Sequence, residues 1–147
     1  MRRRRFLAGT LGAAALARLP AARAQSPEYT QAFAKLAAGA SARAGRVTLE
    51  IPRLADNGNS VPLRVRVDSP MTAADHVTTI TLLSQRNPRP VMATFHFGPR
   101  AGHAEVVTRV RLNGSQQVVA IARMSDGSLW SAEAPVEVTE SACLDAG

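Results

Sequence analysis

The feature that most constrains the fold of this chain is a series of short apolar segments, separated by turn-forming residues, between positions 47 and 139. Segment 61–67 shows the pattern plainly, because valine and leucine alternate there with proline and arginine. Such period-2 alternation is typical of a strand that buries one face. The predicted strands are Val47 to Ile51, Val61 to Val67, Val77 to Ser84, Val91 to Phe97, Ala104 to Leu112, Gln117 to Met124, Leu129 to Glu133 and Val136 to Thr139. Short strands at this spacing favour an antiparallel β-sandwich over residues 46–139.

Two of these strands predict how the layers are arranged. In the strand from Val91 to Phe97, the alternation places Val91, Ala93, Phe95 and Phe97 toward the core and His96 toward solvent. The segment 117–124 is instead apolar on both faces over much of its length. We therefore expect it to be a central strand, or a strand whose outer face meets a partner.

Segment 25–45 is predicted to form a short helix ahead of the sandwich. Ser26 is a suitable N-cap residue, and Pro27 is favoured at the first helical position. Apolar residues follow at helical spacing: Tyr29, Phe33, Leu36, Ala37 and Ala40. The helix should end before Gly45. Because its apolar stripe is narrow, we expect it to pack on the sheet or on a partner subunit.

The first 24 residues have the organisation of an export signal. Four arginines, Arg2 to Arg5, precede an apolar run from Leu7 to Ala17, and Ala22-Arg23-Ala24 matches an A-x-A cleavage site. The segment Arg3 to Leu7 resembles the twin-arginine (Tat) signature R-R-x-F-L, which implies export of a folded protein. We therefore expect a signal peptide at 1–24 and a periplasmic mature protein. The run is too short for a retained membrane span, which needs about 20 apolar residues.

Removing this signal changes the electrostatic interpretation. It contains six of the 18 basic residues and none of the 11 acidic ones, so the formal net charge falls from +7 to about +1. A strongly basic chain would suggest nucleic acid as a partner, but no basic stretch with interleaved aromatic residues remains. We expect no nucleic-acid binding.

The only cysteine, Cys143, lies in a C-terminal arm at residues 140–147, where the apolar alternation stops. We expect this arm to be unpaired, and fully extended it spans at most about 25 to 29 Å. A free cysteine is commonly an inert, buried residue, but an odd cysteine in an exported chain suggests a reactive thiol or intermolecular pairing. Glu140 and Asp145 disfavour the thiolate. Activation would then come from another protein, which favours a substrate carrier over an enzyme.

Motifs for other chemistry are weak. The sequence has no Gly-rich phosphate loop, no H-E-x-x-H and no C-x-x-C. The three histidines, His76, His96 and His103, lack metal-ligand spacing. The cluster of Asp56, Asn57 and Asn59 lacks the distal glutamate of an EF-hand, so a turn stabilised by Asx side chains is the better interpretation. We expect no metal site and no catalytic residue.

A set of collinear motifs resembles the SoxY family of periplasmic sulfur-oxidation proteins. They are Ile51-Pro-Arg-Leu-Ala-Asp-Asn-Gly-Asn-Ser-Val-Pro62, Val67-Asp-Ser-Pro-Met-Thr-Ala73, Asn87-Pro88, Phe95-x-Phe97, Thr108-Arg109, Gln117-x-Val-Ala120 and Met124-Ser-Asp-Gly127. The resemblance implies an immunoglobulin-like sandwich that forms a heterodimer with a SoxZ-like subunit. It also implies that Cys143 holds sulfur intermediates covalently, with no other cofactor.

The same resemblance implies which enzymes act on the arm. A haem enzyme would attach thiosulfate to the thiol, a hydrolase would release sulfate, and a sulfane dehydrogenase would oxidise the remaining sulfur. The family arm ends Gly-Gly-Cys-Gly-Gly, whereas this chain has Ser141-Ala142-Cys143-Leu144-Asp145. The alternative function is therefore a divergent binding or structural subunit that keeps the partner but has lost the carrier cycle. A third possible function is that of a thiol hydrolase. It would need a general base for the thiol, and no such residue can be assigned from the sequence.

Overall fold

The computed structural model describes residues 25–141, so the predicted signal segment 1–24 and residues 142–147, Cys143 among them, lie outside the described residues. The described part contains helix α1 (Pro27–Ala37), a 3-10 turn (Pro99–Ala101) and strands β1 (Ala42–Ala44), β2 (Val47–Glu50), β3 (Leu54–Asn57), β4 (Val61–Val67), β5 (Val77–Ser84), β6 (Val91–His96), β7 (Ala104–Val110), β8 (Gln116–Met124) and β9 (Leu129–Glu140). Between residues 25 and 141, no helix has the length and hydropathy needed to cross a membrane.

The strands form two sheets with the main apolar core between them. The larger sheet has the order β1-β9-β8-β5-β6, and β3 pairs with the far end of β9. The smaller sheet has the order β2-β4-β7. Neighbours are antiparallel except that β1 and β3 run parallel to β9. The predicted all-β, immunoglobulin-like sandwich with a short N-terminal helix is confirmed.

Strand β4 buries one face and exposes the other, as its alternation predicted. Its apolar residues are almost fully buried, and its polar ones are exposed. The inward-facing residues meet those of β5 and β8 in one cluster that includes Val61, Leu63, Val65, Val67, Ile80, Leu82, Val118 and Ala120. Burying each valine, leucine or isoleucine contributes about 1.5 to 3 kcal/mol. This core holds the two sheets together and fixes the positions of the strand ends.

Strand β8 is central, which is one of the two arrangements that its apolar faces predicted. It lies between β5 and β9, with Val118 and Ala120 in the core between the sheets. On the opposite face, Val119 and Ile121 pack beneath α1. The outer face is therefore covered by this chain's own helix.

Helix α1 begins where the capping residues predict. The Ser26 hydroxyl oxygen accepts a hydrogen bond from the Tyr29 amide at 3.1 Å, and Pro27 occupies the first helical position. The helix ends at Ala37, and Ala38 follows with a left-handed φ of 48°. Tyr29 is buried against the sheet, and this burial raises the pKa of its hydroxyl above the usual value. The helix thus packs on the sheet, one of the two expected arrangements.

Three features of the larger sheet differ from the sequence-based expectation. Strands β1 and β3 were not predicted, because they are three and four residues long without apolar alternation and form by backbone pairing with β9. The sequence predicted two strands in the region where the structure has the single strand β9, which continues through Pro135. Among the described residues, β1 pairs with β9 before this proline and β3 pairs with β9 after it. The missing N–H of Pro135 therefore costs no hydrogen bond to either strand.

The predicted orientation of Val91 is wrong. This residue is 41% exposed, while Met92 packs against the core. The pairing of β5 with β6 explains the difference, because Leu82 is opposite Ala93 whereas Leu83 is opposite Val91. One extra residue in β6 makes a β-bulge, and a bulge reverses the side-chain alternation beyond it.

Candidate functional site

The last residues of β9 are hydrogen-bonded up to Glu140, at the start of the predicted C-terminal arm. Strand β3 pairs in parallel with this stretch, placing Asn57 opposite Glu140. The Gly58 amide donates to the Glu140 carbonyl oxygen at 2.7 Å, and the Leu112 amide donates to the Gly58 carbonyl oxygen at 2.8 Å. The expectation that Glu140 is unpaired is therefore wrong. Whatever follows residue 141 leaves from a backbone position that is fixed by the sheet.

On the other edge of β9, the side chain of Ser115 bonds to the backbone where no strand pairs with it. Strand β8 begins at Gln116, which is opposite Val136, so the residues of β9 beyond that point have no β8 partner. The Ser115 hydroxyl oxygen accepts the Val138 amide at 2.9 Å. The same hydroxyl donates to the Val138 carbonyl oxygen at 3.5 Å. One side chain thus satisfies the backbone where the ladder has ended.

Replacing Ser115 with alanine should loosen the end of β9 without unfolding the protein. The Val138 amide loses its acceptor, which costs about 1 kcal/mol. We expect amide hydrogen exchange at residues 137–140 to accelerate about fivefold. Ser125→Ala is the matched control, because its hydroxyl accepts the His76 amide at the opposite end of the sandwich. Equal acceleration in both variants would contradict a specific role for Ser115.

Gly114, Arg86 and Ser141 meet at the point where the arm begins. A Cβ atom on Gly114 would lie 3.3 Å from both Arg86 Nη1 and Ser141 Oγ, and Gly114 has a φ of +84°. Space and backbone conformation therefore both favour glycine. The Arg86 guanidinium donates to the Ser115 carbonyl oxygen at 3.3 Å. A positive charge consequently lies beside the last described residue.

A buried polar cluster, Ser84, Asn87 and Gln116, fixes the loops around this point. Gln116 Oε1 accepts the Arg86 amide at 3.0 Å, and Gln116 Nε2 donates to Asn87 Oδ1 at 3.2 Å. The Ser84 hydroxyl donates to Gln116 Oε1 and accepts the Asn87 amide. Because every member is bonded to another, loops 85–90 and 111–115 are held as one unit.

Asn87 also bonds to the backbone of the segment that follows β7. Its side-chain amide donates to the Arg111 carbonyl oxygen at 2.9 Å, and its Oδ1 accepts the Asn113 amide at 2.9 Å. Asn87 therefore joins the loop after β5 to the loop after β7. Both loops lie at the end of the sandwich from which the arm leaves.

Two grooves flank this end. The first, of 670 Å³, lies beside α1 and is lined by residues that include Arg86, Ser115 and Glu137. The second, of 460 Å³, lies between the edge strands β6 and β7, and we call it the arginine-lined groove. Its lining consists of Asn87, Pro88, Arg89, Val91, Met92, Ala93, Thr108, Arg109, Val110 and Arg111.

The other residues considered in the sequence are not brought together here. His96 lies within β6, whereas His76 and His103 lie in connecting segments; within residues 25–141 no group of three or more potential ligands could hold a metal ion. The Asn59 amide donates to Asn57 Oδ1 at 2.7 Å, which confirms the turn stabilised by an Asx side chain. Cys143, predicted as the covalent attachment site, lies two positions beyond the last described residue.

Sequence reasoning missed Arg86, Ser115 and the buried polar cluster. Their signal was available in part, because Ser84 and Gln116 are polar residues at the ends of strands and Asn87 lies in the loop just after Ser84. What the pattern could not give is that the three side chains bond to one another, since they come from two separate segments of the chain.

Comparison with known proteins identifies what this arrangement is similar to. The model of a family described as sulfur oxidation protein SoxY matches residues 33–143. The sulfur carrier protein SoxY from Chlorobium limicola f thiosulfatophilum has a similar structure, with a TM-score of 0.64 and 26% identity over 76% of this chain and 96% of that one. No curated protein sequence matches significantly.

Two superoxide reductases are also similar in structure. That from Ignicoccus hospitalis has a TM-score of 0.57 and 23% identity over 64% of this chain and 80% of that one. That from Nanoarchaeum equitans has a TM-score of 0.54 and 15% identity over 65% of this chain and 100% of that one. At this level of identity the likeness concerns the fold alone.

Proposed function

This chain belongs to the SoxY family, and from that premise we propose that it is a periplasmic carrier that holds sulfur intermediates covalently on Cys143. The observation that carries the proposal is the extent of the family match, which runs through the sandwich and ends at Cys143. A similar solved structure is that of a sulfur carrier protein. The fixed end of β9 supports the same function, because a carrier needs a firm base for the segment that visits other proteins.

The proposed chemistry has two balanced steps. In the first, the Cys143 thiol and thiosulfate join through a new S–S bond; the thiol proton is released, and two electrons pass to the haem enzyme that conjugates them. In the second, water attacks the terminal sulfonate sulfur, the S–S bond to it breaks, and sulfate and a proton leave. Cys143 then holds a persulfide, which a sulfane dehydrogenase would oxidise further.

The carrier itself supplies no catalytic group in this scheme. The thiol is activated and discharged in the sites of the partner enzymes, which the arm reaches from its base at Ser141. We propose that a SoxZ-like subunit completes the carrier as a heterodimer. The twin-arginine signal at 1–24 supports export of this complex in folded form.

Intact-protein mass spectrometry tests the proposal. The protein is isolated from cells oxidising thiosulfate, measured before and after a mild reductant, and digested to locate the modified residue. We expect a sulfur adduct on Cys143 that the reductant removes. The control is a carrier with the Gly-Gly-Cys-Gly-Gly arm from the same cells.

The replacement of the family glycines favours one alternative, a divergent subunit that binds the partner without carrying sulfur. Leu144 and Asp145 add bulk and charge beside the thiol. If the control carrier is loaded while Cys143 remains unmodified, the carrier function is wrong and this alternative replaces it.

A further inference from the structure

The lining of the arginine-lined groove combines cationic and apolar residues. Arg89, Arg109 and Arg111 line it, and none of its described lining residues is acidic. The apolar lining includes Val91, which the bulge in β6 leaves 41% exposed, and Met92 beside it. Such a groove suits a short segment that has an apolar side chain next to an acidic one.

The arm of this chain has that composition where the family arm has glycines. Leu144 is apolar and Asp145 is acidic, and both follow directly after Cys143. Neither side chain has an evident use in a thin arm that enters enzyme channels. Leu144 suits the apolar lining of the groove, and Asp145 suits its arginines.

The groove is also within reach of the arm. Ser141 lies against Gly114, whose carbonyl oxygen accepts from Gln116 Nε2 at 3.1 Å. Gln116 contacts Asn87, which lines the groove and bonds to the Arg111 backbone. The six residues 142–147 span at most about 20 to 22 Å when extended. The near end of the groove therefore lies only a few side-chain contacts from the base of the arm.

We propose that residues 142–147 dock in the arginine-lined groove of their own protein, with Asp145 facing the guanidinium groups and Leu144 facing the apolar lining residues. In the docked arm Cys143 is shielded, and a partner enzyme must draw it out. The groove beside α1 fits less well, because Glu137 offsets the charge of Arg86 there, whereas three arginines and no acidic residue line the arginine-lined groove. The inference goes beyond the proposed function, since it holds whichever cargo the thiol carries.

The rate at which iodoacetamide, an uncharged reagent, alkylates Cys143 in the mature protein tests the docking. Charge reversal by Arg109→Glu with Arg111→Glu should release the arm and raise the rate about three- to tenfold, the effect of losing a few exposed ion pairs. Through-space electrostatics acts in the opposite direction, because two added anions disfavour the thiolate and slow alkylation. The sign of the change therefore identifies docking.

Matched variants complete the test. Arg64→Glu with Arg66→Glu makes the same charge change on exposed residues of the smaller sheet and should not raise the rate. Asp145→Arg alone should raise it, and Asp145→Arg combined with Arg111→Glu should lower it again. An unchanged or slower rate in the groove variant, or an equal rise in the control, would overturn the proposal. So would a rate that falls with protein concentration, because the arm would then dock in another copy.

The test is separate from that of the carrier function. Alkylation needs neither sulfur compounds nor partner enzymes. A docked arm without a sulfur adduct in cells would leave this inference standing and remove the carrier proposal. A loaded but undocked arm would do the reverse.

Discussion

Cys143→Ser is expected to reduce thiosulfate-dependent electron transfer, in a system reconstituted with the conjugating haem enzyme and the sulfate-releasing hydrolase, to the level seen without this protein. A serine hydroxyl cannot form the S–S bond in which the intermediates are held, and it is not ionised at neutral pH as a thiol partly is. The loss should be complete, because every proposed intermediate is attached at this one atom. Reduction of the haem enzyme is the readout.

The matched control keeps the thiol and changes the residue two positions before it. Ser141→Ala removes a hydroxyl from the same arm and should leave electron transfer little changed. Both variants should unfold at the temperature of the parent protein, which separates loss of the thiol from loss of the fold. Continued oxidation with the serine variant would show that Cys143 is not the attachment site.

Asn87→Ala should be the most destabilising substitution at the arm end of the sandwich, lowering the free energy of unfolding by about 2 to 4 kcal/mol. Asn87 is buried, and its removal leaves the Arg111 carbonyl and the Asn113 amide without their partners. Gln116 loses one of its contacts as well. Urea unfolding followed by circular dichroism measures the change as a lower midpoint at an unchanged slope.

Asn59→Ala is the control for this substitution. Asn59 lies on an exposed turn, and the bond it makes there uses its backbone amide, which alanine retains. Its effect should stay within about 0.5 kcal/mol. If the two variants unfold at the same urea concentration, the buried polar cluster does not hold this end of the molecule together.

The strands that bury one face could be predicted from the sequence, because alternation reports directly on burial. Strand β4 begins and ends at its predicted residues, and β8 is central, which is one of the two arrangements that its apolar faces predicted. Strands β1 and β3 could not be predicted, because their pairing depends on where β9 lies and not on their own side chains. Val91 was misplaced for a related reason, since the bulge arises in the pairing of β6 with β5.

The surroundings of the candidate site could not be predicted from the sequence. The single cysteine led to the prediction of an attachment point at Cys143, which stays a prediction because this residue lies outside the described residues, and a lone cysteine says nothing of what surrounds the arm. Arg86 and Ser115 lie 29 residues apart in sequence and meet through one hydrogen bond. The arginine-lined groove likewise combines residues from two sheets, so no local sequence pattern could predict it.

The position of β9 has a consequence for biosynthesis. This strand is among the last parts of the described chain to be synthesised, yet β1 and β3, from its first third, pair with it. A nascent chain that has not yet reached residue 129 leaves both of them without a partner and β8 with an open edge. Folding therefore finishes only after translation has passed the base of the arm. The twin-arginine signature predicts an exporter that accepts folded substrates. Such an exporter would leave truncated chains in the cytoplasm and transport only molecules in which the base of the arm is complete.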